Sequence, residues 1–262
     1  MCDMPAGSRN VTRFWGVIAL GAALGLTGTA EASPRSAAAS KWQEAHQAAD
    51  DVRITVGADG SALVERQVRV RVVAGVFKGF DLPAIEKNAV PTPDVEVTAS
   101  DGARTPARLE RAADPKKTEG ASPAPDLDTL RVVVDDDKAL RRGSYTFKLS
   151  YRVDVTDAAH LDKDGALWKL TWASAPSPEG RDVARVTFDL PTAPTPPRVA
   201  PIDPPPGAPP GASTDDPTMM SNVKRLPERD EIELVRPHVA RGEAVRWSVR
   251  VDPKALPRLA AE

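Results

Sequence analysis

Apolar side chains recur at every second position over long stretches of this sequence, which is typical of β-strands with one buried face. The longest stretch covers residues 144–155, in which six apolar or aromatic side chains alternate with polar ones. These are Tyr145, Phe147, Leu149, Tyr151, Val153 and Val155. Because burial of such a side chain contributes about 1.5 to 3 kcal/mol, we expect this strand to lie at the centre of the fold.

Residue pairs that favour tight turns separate the alternating stretches. Asp59 and Gly60 suit the positive φ angles of a hairpin between strands near residues 52–56 and 68–72, and Asp101 and Gly102 predict a second hairpin. Further strands are predicted at residues 77–82, 95–97, 107–109, 130–134, 168–172, 184–190, 232–234 and 245–251. No helical period extends over ten or more residues between positions 50 and 252. The sequence therefore predicts an all-β fold, an antiparallel β-sandwich with immunoglobulin-like layering.

Two polar segments interrupt the strands. Residues 112–126 are charged and rich in proline, serine and alanine, and residues 191–221 hold eleven of the 26 prolines. Neither can bury enough apolar area to fold, so both are predicted to be disordered insertions. Closing the second loop costs about 3 kcal/mol, which burial of the strand at residues 245–251 outweighs. We therefore predict a single domain over residues 50–252 with a proline-rich insertion, a tether at 33–49 and a tail at 253–262.

The first 32 residues have the features of a secretory signal peptide. Arg9 and Arg13 precede an uncharged apolar run over residues 14–26, and Ala30 and Ala32 are the small residues that a signal peptidase accepts. Cleavage leaves a mature chain that starts near Ser33 and lacks Cys2, the one cysteine of the sequence. We therefore expect an extracytoplasmic protein, either periplasmic or secreted. The alternative is an uncleaved leader that anchors the N-terminus in the membrane.

Composition and motifs exclude several classes of function. A formal net charge of −2 provides no basic surface for nucleic acid. No apolar run of eighteen or more residues follows the leader, so no later membrane span is predicted. Neither a Gly-x-Ser-x-Gly motif nor a His-Glu-x-x-His motif occurs. We therefore predict that the chain is not an enzyme and needs no cofactor.

Short motifs within residues 52–190 carry a family resemblance. They are Asp59-Gly60-Ser61, Val76-Phe77-Lys78-Gly79-Phe80, Gly143-Ser144-Tyr145-Thr146-Phe147, Leu149-Ser150-Tyr151-Arg152-Val153, Leu167-Trp168 and Val186-Thr187-Phe188-Asp189-Leu190-Pro191. In these motifs the chain resembles the extracytoplasmic N-terminal domain of a bacterial predicted-membrane-protein family of unknown function. The resemblance implies a signal peptide followed by a β-rich domain outside the cytoplasmic membrane, without assigned catalytic residues. Such proteins typically continue into membrane-spanning helices, which this sequence does not show after its last predicted strand.

One acidic loop partly resembles a calcium-binding loop. Asp162 and Asp164 place carboxylates at alternate positions before Gly165. However, His160 stands where the first carboxylate is needed, and Thr171 stands where the loop needs a bidentate glutamate. The segment is therefore interpreted either as a metal site or, as is commoner, as an acidic hairpin loop.

Two tryptophans are candidates for ligand binding. Trp168 and Trp172, with Tyr151, could form an aromatic platform that stacks on a sugar. Leu170 shares their strand face, which favours packing in the core instead.

Arginines near the second predicted strand are another candidate binding group. Arg69 and Arg71 could contact an acidic glycan or an acidic partner. Together with Arg66 and Glu65, they most simply form the solvated face of a strand, which also discourages edge pairing.

These observations lead to one functional hypothesis and one alternative. The hypothesis is an exported, non-enzymatic β-sandwich module for binding or scaffolding in the bacterial cell envelope, with an envelope protein or glycan as its partner. The alternative is a glycan-binding or carbohydrate-active envelope protein. Loops and surfaces on a rigid β-scaffold are where recognition usually takes place.

Overall fold

A computed structural model describes residues 43–112, 127–156, 160–200 and 219–257. The predicted signal peptide, most of the tether, nearly all of the first insertion and residues 201–218 of the second lie outside the described residues. Within the described ranges the chain forms fifteen strands and two single-turn 3₁₀ helices, at Asp136–Lys138 and Pro253–Ala255. The strands are β1 Glu44–Val56, β2 Ser61–Ala74, β3 Gly79–Glu86, β4 Val90–Pro91, β5 Asp94–Ala99, β6 Arg104–Arg111, β7 Leu127–Val134, β8 Gly143–Asp154, β9 Leu161–Asp164, β10 Leu167–Ser174, β11 Val183–Pro191, β12 Arg198–Val199, β13 Met220–Arg225, β14 Arg229–Arg236 and β15 Val245–Val251.

These strands form two sheets. The large sheet has eleven strands, in the order β13-β14-β11-β1-β2-β8-β5-β6-β7-β3, and β4 also pairs with β8. The second sheet has four strands in the order β12-β15-β10-β9. Buried apolar side chains from both sheets form one core. The prediction of an all-β, sandwich-like fold is therefore confirmed.

One pairing makes the large sheet mixed rather than wholly antiparallel. Strands β1 and β11 run parallel, with Val52 opposite Val186 and Ile54 opposite Phe188. A parallel pair cannot be joined by a short turn and needs a long crossover. Here β2 to β10 lie between the two strands along the chain. No local turn signal in the sequence could therefore have indicated this pairing.

Strand β8 lies at the centre of the large sheet, as its long alternation predicts. It pairs with β2 along its length and with β5 and β4 on its other side. Of the six alternating side chains, Phe147, Leu149, Tyr151, Val153 and Val155 are buried. Tyr145 is partly buried and packs against the same core. The two predicted hairpins also form, because β1 pairs with β2 and β5 with β6, and Gly60 and Gly102 adopt positive φ angles of 83° and 88°.

The strands that follow the proline-rich segment complete both sheets. β14 pairs with β11 in the large sheet, and β15 pairs with β10 in the second. Trp247 on β15 is fully buried opposite Trp172. The apolar side of this strand therefore contributes to the core as the sequence predicts.

Three boundaries differ from the sequence-based expectation. β1 starts at Glu44, inside the predicted tether, because residues 44–50 pair with the far end of the long strand β2. Within the predicted second insertion, Arg198–Val199 forms β12 against β15, and β13 starts at Met220. In the predicted tail, Leu256 is fully buried. Each segment is short or polar in pattern, so backbone pairing and tertiary packing place it rather than local alternation.

A matched pair of valine substitutions tests whether β15 belongs to the core. Val249 is fully buried on β15, whereas Val223 on the edge strand β13 is 44% exposed. We expect Val249→Ala to lower the free energy of unfolding by about 2 kcal/mol, from lost burial and the cavity left behind. Val223→Ala should change it by less than about 0.5 kcal/mol. Urea unfolding measures both, and equal small effects would contradict the docking of β15.

Candidate functional site

A buried ion pair lies on the inner face of β1 and β2. The carboxylate of Asp50 accepts two hydrogen bonds from Arg66, from Nε at 2.8 Å and from Nη2 at 2.6 Å. Asp50 is 2% exposed and Arg66 is 8% exposed. This bidentate geometry is the strongest arrangement available to a guanidinium and a carboxylate.

The burial of Arg66 corrects a sequence-based expectation. The sequence predicts Arg66 on the solvated face of its strand together with Arg69 and Arg71. The structure places Arg66 on the opposite face, between the buried side chains of Val64 and Val68. Side chains two residues apart share a strand face, so Arg66 has the parity of the buried valines and Arg69 does not.

A second guanidinium approaches the same carboxylate. Arg181, which precedes β11, places its Nη1 atom 3.3 Å from Oδ2 of Asp50 and donates a hydrogen bond from Nη2 to the carbonyl of Ala175 at 3.2 Å. Its Nε atom has no hydrogen-bond partner among the described residues. Arg181 is held in place by backbone hydrogen bonds in both directions with Val239. Asp50 is therefore shared by two buried arginines.

Burial and charge act in opposite directions on the pKa values of this cluster. Burial alone would lower the pKa of Arg66, but the charge and hydrogen bonds of Asp50 overcome it and raise that pKa. Burial alone would raise the pKa of Asp50, but Arg66 and then Arg181 bring it below the ordinary 3.8. Burial lowers the pKa of Arg181. The charge of Asp50 raises this pKa only in part, and the charge of Arg66 lowers it further. Of the two arginines, Arg181 therefore has the positive charge that Asp50 balances less completely.

Both arginines line a cavity of about 350 Å³, which we call the arginine cavity. Its walls come from β1, β2, β3 and the segment 175–181 between β10 and β11. Most of the lining is apolar, and the apolar residues are Ala45, Val68, Val70, Phe77, Phe80, Leu82, Pro83, Ala175, Pro176 and Pro178. An apolar cavity with a few convergent polar groups is the usual form of a small-molecule site.

Two acidic residues at the lining of the arginine cavity have partners of their own. Asp81 pairs with Arg131 through two hydrogen bonds of 2.6 and 3.0 Å. Glu179 lies 3.1 Å from Arg241. Because these carboxylates are exposed and engaged by surface arginines, they do not offset the charge of the buried cluster.

The predicted binding residues Arg69 and Arg71 lie elsewhere, on the exposed outer face of β2. Arg69 and Lys148 line a groove of about 380 Å³ together with Thr98, Ser100, Ser144 and Thr146, which carry hydroxyls. Arg71 lines a smaller depression of about 210 Å³ beside Arg142. The alternation of β2 therefore separates these two arginines from the arginine cavity.

The two predicted tryptophans lie on β10. Trp172 is 6% exposed and stacks on His160, with 5.4 Å between ring centroids and 19° between ring planes. Trp168 is partly buried against the core, and Nζ of Lys163 lies 5.3 Å from its ring centroid. Trp172 therefore has no free ring face for a sugar in this conformation.

The predicted metal ligands Asp162 and Asp164 belong to β9, which forms a hairpin with β10. Asp164 lies 2.6 Å from Nε of Arg250 on β15. Across the described ranges, no three His, Cys, Asp or Glu side chains gather in a way that could hold a metal ion. The structure thus shows an acidic hairpin in which Asp164 is paired with an arginine.

A family model matches residues 50–236 of the sequence, and it is described as "Predicted membrane protein (DUF2207) N-terminal domain". The chain belongs to this DUF2207 family. The match contains the stretch from residue 52 to 190 on which the sequence resemblance rests, so that resemblance is confirmed. In the part of this DUF2207 domain that the structure describes, no helix has both the length and the apolar character needed to cross a membrane.

Two solved structures show a distant likeness to the DUF2207 domain. One is a "putative protease" from Parabacteroides distasonis, with 12% identity, a TM-score of 0.46, and coverage of 80% of this chain and 41% of that one. Another is an M1 zinc metallopeptidase from Deinococcus radiodurans, with 8% identity, a TM-score of 0.46, and coverage of 79% and 42%. The chain thus spans about two fifths of the length of these structures. No curated protein matches the sequence.

The sequence does not predict the buried cluster of Asp50, Arg66 and Arg181 as a site. Asp50 and Arg66 each have the parity of buried neighbours on their strands, Val52 and Ile54 for Asp50 and Val64 and Val68 for Arg66. The sequence signal for these two residues was therefore a charged side chain at a position where the strand alternation predicts a buried one. Arg181 lies between strands, where alternation says nothing about burial.

Replacement of Asp50 tests the electrostatic account. Asp50→Asn leaves two buried guanidiniums without a counter-charge, so we expect a loss of about 3 to 5 kcal/mol in the free energy of unfolding at pH 7. Folding lowers the pKa of Asp50, so its contribution is complete above the ordinary value of 3.8 and is lost as the pH falls through the folded value. The difference between wild type and variant should therefore narrow below about pH 4.

Urea unfolding between pH 3 and pH 7 measures this dependence. The control is Asp81→Asn, which removes an exposed ion pair and should cost less than about 1 kcal/mol. An Asp50→Asn variant as stable as the wild type at pH 7 would contradict the account.

Proposed function

We propose that the chain is an exported, non-enzymatic binding module of the bacterial cell envelope and that the arginine cavity is its ligand site. Export is supported by the leader over residues 1–32. Membership of the DUF2207 family is consistent with a domain that works at or near a membrane. The partner or ligand is an envelope component rather than a nucleic acid, because the chain is nearly neutral in charge.

The single observation that carries this proposal is an apolar cavity with buried guanidiniums in its wall. Phe77, Val68 and Leu82 are buried parts of the core that also line the cavity. A site on such strands is preformed, so a ligand loses little binding energy to reordering of the protein. Side chains that filled this space would make the fold more stable, so an open cavity favours a role in binding.

The environments of the three histidines favour binding over catalysis. His46 and His238 lie at the surface or close to it, and His46 pairs with the exposed carboxylate of Asp182 at 3.2 Å. His160 is buried, with Nε2 2.8 Å from Glu86 and its ring stacked on Trp172. These contacts give His160 a packing role, and none of the three histidines lines the arginine cavity.

A separate observation favours the alternative of a glycan-binding envelope protein. The outer groove combines the cations of Arg69 and Lys148 with several hydroxyls, which is suitable chemistry for an acidic glycan. Binding of an acidic glycan that is lost in Arg69→Ala without a loss of folding would favour this alternative.

Filling the arginine cavity tests the main proposal. Ala45 lies in the cavity wall and is partly buried. The neutral probe N-phenyl-1-naphthylamine fluoresces when it enters an apolar site, so we expect saturable fluorescence with one probe per wild-type chain. Ala45→Leu should weaken probe binding about tenfold or more, because the added atoms occupy the site.

The matched control is Ala103→Leu, in the exposed turn between β5 and β6, which should bind the probe like the wild type. Thermal melts of all three proteins check folding. No saturable binding in the wild type, or equal binding in Ala45→Leu, would contradict the proposal.

A further inference from the structure

The buried cluster at the arginine cavity carries one positive charge more than it can balance. Arg66 and Arg181 each contribute one positive charge, and Asp50 contributes one negative charge. The neighbouring Tyr151 stays a neutral phenol, because burial raises the pKa of its hydroxyl. Glu86, whose charge acts on Tyr151, lies 2.8 Å from Nε2 of His160. An unbalanced charge in an apolar interior is costly.

The unbalanced charge belongs mainly to Arg181. Arg66 takes both oxygens of Asp50 in a bidentate pair, whereas Arg181 has one longer contact of 3.3 Å to Oδ2. Its Nε atom is buried and has no hydrogen-bond partner in the described part of the chain. Arg181 is 4% exposed, so water does not replace the missing partner over most of the side chain.

The cavity that Arg181 lines is mostly apolar. Phe77, Phe80 and Leu82 form one wall and Val68 and Val70 another, as part of a cavity of about 350 Å³. A purely polar anion would gain nothing from these walls, and a purely apolar ligand would leave the charge unbalanced. A ligand with one anionic end and an apolar body satisfies both features.

We propose that the arginine cavity binds a ligand with a single carboxylate at the end of an apolar body and that this carboxylate pairs with Arg181. This inference rests on the proposed function and specifies the ligand of the same site. A monoanion matches the single surplus charge, whereas a phosphate monoester with nearly two charges would exceed it. Planar carboxylates are also the natural partners of a guanidinium.

The test compares ligands that share the same chain length and differ in the head group, which is an anionic carboxylate in one and a neutral hydroxyl in the other. Competition against N-phenyl-1-naphthylamine measures the binding of decanoate and of 1-decanol to the full chain. We expect decanoate to bind about tenfold to a hundredfold more tightly than decanol, which is the range for one hydrogen-bonded charge pair. In Arg181→Met the ratio of the decanol Kd to the decanoate Kd should fall to about 1, while decanol binds as it does to the wild type.

The control is Arg185→Met, which removes an exposed arginine that pairs with Asp51 and Glu233 on the other face of the sheet. This variant should keep the preference of the wild type. The carboxylate inference is overturned, and the proposed function left standing, if decanoate binds the wild type no more tightly than decanol and the peptide acid described next binds no more tightly than its amide. These comparisons need no variant, so a folding defect in Arg181→Met does not prevent the test.

A second pair of probes identifies the source of the carboxylate. Acetyl-Leu-Leu-Phe and its C-terminal amide represent the end of an apolar peptide, and decanoate represents a fatty acid. Either carboxylate should bind more tightly than its neutral partner, and the tighter of the two indicates the source. If the probe binds but neither carboxylate displaces it better than its neutral partner, the inference is wrong.

Discussion

The carboxylate of Asp50 holds two guanidiniums inside the apolar face of the large sheet, and the candidate site depends on this arrangement. It links β1 to β2 through Arg66 and to the segment before β11 through Arg181. Since β1 and β11 are also paired in parallel, the cluster lies where β1 meets both the next strand of the chain and a strand that is distant in sequence. The position is fixed by backbone pairing on both sides of Asp50.

This arrangement also separates two kinds of surface on one strand. On β2 the inner positions carry valines and Arg66, and the outer positions carry Glu65, Arg69 and Arg71. The inner side leads to an apolar cavity with buried charge, and the outer side leads to a groove lined by cationic and hydroxyl-bearing residues. Strand alternation alone therefore gives the domain two chemically different faces, and among the described residues the buried surplus charge lies on the inner one.

The sequence predicts much of this fold because local patterns carry the information. The alternation through Tyr145 to Val155 marks the central strand, and Gly60 and Gly102 mark hairpins that form. The parallel pairing of β1 with β11 and the early start of β1 at Glu44 depend on long-range pairing, which leaves no periodic trace. The candidate site is predicted less well. Arg66 could have been found from its parity with Val64 and Val68, but the burial of Arg181 depends on tertiary packing alone.

The most direct measurement is the free energy of unfolding of Arg66→Met and Arg181→Met at pH 7 without ligand. Loss of Arg66 removes both hydrogen bonds to Asp50, so the account predicts a cost of about 3 to 5 kcal/mol. Loss of Arg181 leaves the bidentate pair intact and removes the surplus charge, so the variant should remain within about 1 kcal/mol of the wild type. If Arg181→Met is as destabilised as Arg66→Met, Arg181 stabilises the fold, and the claim that its charge is left for a ligand is contradicted.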